Sequence, residues 1–128
     1  MAELARIKRY ARYALAFVFI YHGLVPKLLW LDPMETAWVA GHHIPISAAV
    51  FAGLAGSVEI LIGLSVALLR SALVPVYIAA ALLILLLADA ALFAPATLVA
   101  AFNPVTINIA ALALCAVIQT SHRALAAG

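Results

Sequence analysis

Four stretches of this chain are apolar enough to cross a bilayer, and each carries at least one residue that hydrocarbon rejects: His22, Glu59, Asp89, and Asn103 with Asn108. A spanning helix needs ~20 mostly apolar residues, and the stretches that qualify are 10–29, 46–69, 72–94 and 103–119. With 69% hydrophobic residues, 9% charged residues and a mean hydropathy of +1.22, the chain cannot cover its apolar surface with water-facing groups. The expectation is one all-α membrane domain over 1–128, a four-transmembrane-helix bundle whose loops are too short for a second domain.

The first stretch also has the look of a signal peptide, with Arg6, Lys8, Arg9 and Arg12 ahead of the apolar run Tyr13 to Ile20. No small-x-small cleavage site follows it, so it is read as a retained spanning helix. Basic residues near helix ends are kept on the cytoplasmic side. Arg6, Lys8, Arg9 and Arg12, then Arg70, then Arg123 all fall on one side of a four-pass chain. Both termini are therefore expected in the cytoplasm, in a multi-pass protein of the cytoplasmic (inner) membrane. The net charge of +2 reflects this anchoring and is no evidence for nucleic acid.

Counting along straight helices at ~1.5 Å per residue puts His22, Glu59 and Asn108 in one layer ~16–18 Å deep. Lys27, Asp89 and Asn103 fall in a second layer at ~24–26 Å, near the outer boundary. Matching depth suggests two pairs, Lys27 with Asp89 and His22 with Glu59. Ionisable groups inside a membrane mark functional sites by default, although such contacts also simply hold helices together. At 100° per residue Ala52, Gly56, Glu59 and Gly63 share a narrow stripe, with Ala67 beside it, so Glu59 points into the bundle.

Pro26 offers no N–H to the His22 carbonyl, which predicts a kink and a polar pocket there. Asn103 before Pro104 reads either as an N-cap that starts the last helix inside the outer half of the membrane, with Thr97 to Phe102 as connector, or as a kink in one continuous helix. In the first outer loop, Asp32, Pro33 and Glu35 have the spacing of a capping box and Gly41 can end the helix, so a short extra helix is expected over 33–40, with Trp30 and Trp38 in the aromatic belt. His42 and His43 point in different directions and have no spaced Cys or carboxylate partner, so no metal site is expected. A lone Cys115 allows no internal disulfide relay, no phosphate loop or nucleophile elbow is present, and haem would need a second membrane-depth axial histidine.

The runs Tyr21-His22-Gly23-Leu24-Val25-Pro26-Lys27-Leu28-Leu29, Gly56-Ser57-Val58-Glu59-Ile60-Leu61-Ile62-Gly63 and Phe102-Asn103-Pro104-Val105-Thr106-Ile107-Asn108 resemble, in order, the three signature regions of the DoxX-like family. The resemblance spans nearly the whole chain and implies a compact four-helix membrane bundle. The family takes its name from a small subunit associated with a quinone-linked thiosulfate oxidation system, so quinone or lipid chemistry is implied by analogy alone.

Three functions are compatible with these residues. The first is binding of a small hydrophobic molecule, a quinone or isoprenoid lipid, with Tyr21, His22, Lys27, Glu59, Asp89, Asn103 and Asn108 as its ligand-binding residues. The second is acid–base or redox-complex chemistry on such a molecule, with His22 and Glu59 as the catalytic pair. The third is a structural or assembly subunit, or homo-oligomer, docking other membrane proteins through Ala-rich surfaces such as Ala110, Ala111 and Ala113.

Overall fold

A computed structural model describes residues 1–128 as five α-helices and no strand. They are α1 (Ala2–Leu24), continued by a π-helical turn (Val25–Leu29), α2 (Pro33–Gly41), α3 (Ala48–Leu68), α4 (Val74–Phe93) and α5 (Pro104–Ala127). A 3₁₀ turn, Pro95–Val99, joins α4 to α5. Both termini sit at one end of the bundle, where Lys8 Nζ lies 3.3 Å from His122 Nδ1.

The capping chemistry sets the boundaries. Asn103 starts α5, its side-chain oxygen accepting the Thr106 N–H at 2.9 Å with Pro104 at the first helical position, so the last helix is not a continuous kinked rod. Ser47 caps α3 in the same way through the Val50 N–H. Asp32 caps α2 through Met34 N–H, but Glu35 does not close the capping box; it turns to a lysine instead. Gly41 is not the helix terminator expected from sequence either. It stays helical, and His43 takes the left-handed backbone conformation, φ 51°, beyond the C-cap residue His42.

Helices α3, α4 and α5 are each long and apolar enough to cross a membrane. The first stretch differs: α1 with its π turn meets that test only together with α2, and the two are bent by 87°. Lys8, Arg9 and Arg12 fall within the first half of α1 and load it with charge.

Packing runs around a ring in the order α3, α1, α5, α4, and the α3–α4 contact is the thinnest. The core takes Leu15, Ala16 and Phe19 from α1, Val66 from α3, Leu83 from α4 and Ile118 from α5, among others. Only 21 of 128 residues are buried, while Leu, Ile, Val and Phe side chains cover the outside of every long helix, as a surface in contact with lipid requires. The small-residue stripe of α3 lies where its spacing predicts. A Cβ on Gly56 would collide with the Gly23 carbonyl, and one on Gly23 with the Gly56 carbonyl, so α1 and α3 touch backbone to backbone.

Candidate functional site

The tightest polar cluster forms at that crossing. Pro26 cannot bond the His22 carbonyl, and the chain resumes its ladder one residue late, with Trp30 N–H donating to Val25 C=O at 2.9 Å. The wider π turn that results swings Lys27 onto α3. Such turns recur at functional sites because they re-aim a side chain without ending the helix. Lys27 Nζ donates to both Glu59 oxygens, at 3.0 and 3.1 Å, and lies 3.2 Å from Glu35 on α2. The Lys27 and Glu59 side chains are 11% and 9% exposed, so three segments are joined by one largely desolvated ion cluster. One lysine against two carboxylates leaves a formal negative charge.

This corrects both pairings expected from depth. Lys27 pairs with Glu59 rather than Asp89, because the π turn rotates it in a way that counting along a straight helix cannot anticipate. Both Glu59 oxygens accept from Lys27, and no hydrogen bond or ion pair joins Glu59 to His22. His22 is exposed on the outside of α1 and takes part in no side-chain hydrogen bond or ion pair of the chain. It nevertheless adjoins the cluster: its neighbour Gly23 lies against Glu59, where an added Cβ would stand 3.1 Å from Glu59 Cβ. Tyr21, 50% exposed, lies beside it with its ring 5.6 Å from that of Phe17.

Asp89 belongs to a second cluster. It accepts from Trp38 Nε1 at 2.5 Å and pairs with His42 Nε2 at 2.8 Å, clamping the end of α2 to α4. His42 Nδ1 lies 2.8 Å from the Trp38 carbonyl. The carbonyl and then the carboxylate hold this imidazole above its ordinary value of 6.5. Phe51 and Phe93 close on the same rings, 5.2 Å from Trp38 and 4.5 Å from His42. No three His, Cys, Asp or Glu side chains converge as a metal site.

The two asparagines serve the backbone. Asn103 caps α5, and buried Asn108 donates from Nδ2 to the Leu83 carbonyl at 3.0 Å, tying α5 to α4. Of the residues singled out by sequence, the structure therefore gathers Lys27 and Glu59 beside His22 and Tyr21, and it places Asp89, Asn103 and Asn108 in separate structural contacts. Glu35, Trp38 and His42 are the participants that sequence reasoning missed. Trp38 and His42 sit at i and i+4, one face of a helix, which is the signal that was available.

The model of the DoxX-like family matches residues 16–116. The chain belongs to the DoxX-like family. That match takes in all three signature runs, including Tyr21, His22, Lys27, Glu59, Asn103 and Asn108. It also takes in Glu35, Trp38, His42 and Asp89, so both clusters of this DoxX-like bundle lie within the family's extent. Comparison with curated proteins and with solved structures returned no match.

Proposed function

We propose that this DoxX-like protein binds a small hydrophobic molecule with a polar head, a quinone or an isoprenoid lipid, on the outer half of α1 beside the Lys27–Glu59–Glu35 cluster. In this reading α1 is a fourth span and both termini are cytoplasmic, as the basic residues at that end favour. One observation carries the proposal: His22 presents an imidazole to the outside of the bundle with no partner in the protein, and with α1 read as a span that imidazole faces the membrane. A polar group facing hydrocarbon without a hydrogen bond is costly. A carbonyl or hydroxyl on a ligand head relieves that cost, the exposed ring of Tyr21 adjoins it in the chain, and the lipid phase accommodates the tail.

Acid–base chemistry on such a ligand has weaker support, because Glu59 is held by Lys27 rather than by the imidazole. The test is a thermal-shift titration of the purified protein with a quinone bearing a short isoprenoid tail. Wild type is expected to be stabilised in a saturable way and His22→Ala is not. Equal stabilisation of the two proteins would reject the site.

A further inference from the structure

At the end of the bundle that carries the termini, a cavity of about 210 Å³ opens between α1 and the α3–α4 connection. Its lining includes Lys8, Arg9, Arg12, Tyr13, Ala67 and Arg70, four cations and no carboxylate. Glu3, the nearest acid in sequence, pairs with Arg6 instead, and both are exposed outside the cavity.

Each cation is held differently. Arg12 is 1% exposed and donates to the carbonyls of Val66, Leu69 and Ala72, which closes the C-terminal end of α3. Its Nε–H is buried with no acceptor in the chain, the sole such side-chain atom in the protein. Arg70 donates to the Tyr13 hydroxyl at 2.8 Å and lies over the Tyr13 ring, so its guanidinium is fixed at the cavity wall. Lys8 Nζ lies 3.3 Å from the His122 ring Nδ1 on α5 and meets no carboxylate. Arg9 is exposed and free to fold over the opening.

We propose that this cavity is a binding site for the phosphate of an anionic phospholipid headgroup. A phosphate supplies acceptor oxygens and negative charge where the lining has four cations and no carboxylate, and arginine suits it by its fork of N–H groups. Basic pockets between membrane helices bind lipid headgroups on these grounds. A lipid is favoured over a free anion because Tyr13 and Ala67 lie on α1 and α3, whose outward faces below the cavity are apolar and continue as a track for acyl chains.

The test uses the full-length protein in vesicles of equal parts phosphatidylcholine and phosphatidylglycerol. The protein is extracted in mild detergent, and the lipids held by the folded, monodisperse fraction are weighed by native mass spectrometry. Wild type is expected to retain phosphatidylglycerol over phosphatidylcholine. Arg9→Gln with Arg70→Gln is expected to lower that preference about thirtyfold, from ~1 kcal/mol per basic residue. Arg6→Gln with Arg123→Gln, which removes equal charge outside the cavity, is expected to leave it in place. Equal retention of the two lipids by wild type, or equal loss in both double variants, overturns the site. Displacement of phosphatidylglycerol by millimolar inorganic phosphate overturns the lipid assignment in favour of a free anion.

Discussion

Both ring nitrogens of His42 face acceptors, the Trp38 carbonyl and the Asp89 carboxylate, so the ring satisfies both only as the imidazolium. Its folded-state pKa is raised above the unfolded value of 6.5, so the stability it contributes is fully present below that value and is lost as pH rises through the folded value. Melting temperature is expected to fall over that window in wild type and to stay flat for His42→Gln; parallel profiles would show that another group titrates. Lys27 answers to a different rule. Lys27→Met leaves two carboxylates facing each other in a desolvated crossing, and breaking one side of a buried pair costs about 3–5 kcal/mol. Denaturation in detergent should show that loss, with most of it recovered when Glu59→Leu is added, because no buried charge then remains on α3.

The α1–α3 crossing sets a limit that belongs to the helices as units. Gly56→Ala places a methyl against the Gly23 carbonyl, so the helices must separate, and overpacking of this kind costs about 1–3 kcal/mol. Gly41→Ala meets open space in a helical conformation and is expected to be neutral or stabilising by about 0.5–1 kcal/mol. The contrast, read by thermal melting of the two variants, separates close approach from helix propensity. Most of this level was legible in the chain. The α3 stripe and the Asp32 cap follow from side-chain period and capping chemistry, which are local, whereas Asn103 left a cap and a kinked continuous helix both open until the fold decided for the cap. The place of Lys27 is not legible in the sequence, because proline-induced π geometry changes the angular position of every residue after it and an ideal-helix count does not include that change. Arg12 marks topology by its charge and also bonds the carbonyls at the end of α3; its three acceptors are more than 50 residues away, beyond any sequence pattern.

At the scale of the whole molecule, the ring of helices gives one polar crossing between α1 and α3, one cationic cavity at the end that carries the termini, and an apolar exterior. The composition alone dictated the membrane class, and the runs 21–29, 56–63 and 102–108, all within the family match, mark where α1, α3 and α5 carry their polar residues. The ligand was not legible, since His22 and Glu59 looked like partners in sequence and only the fold shows one turned outward and the other engaged inside. That separation makes His22→Ala the informative variant: it removes a side chain that the fold does not use, whereas Glu59→Gln disturbs the ion cluster as well. The most direct measurement is mass spectrometry of the small molecules extracted from wild type and His22→Ala purified in parallel. A quinone or isoprenoid present in wild type and absent from a normally folded His22→Ala is the predicted result. The same bulk lipids in both, with nothing selectively lost, would contradict a ligand site on α1.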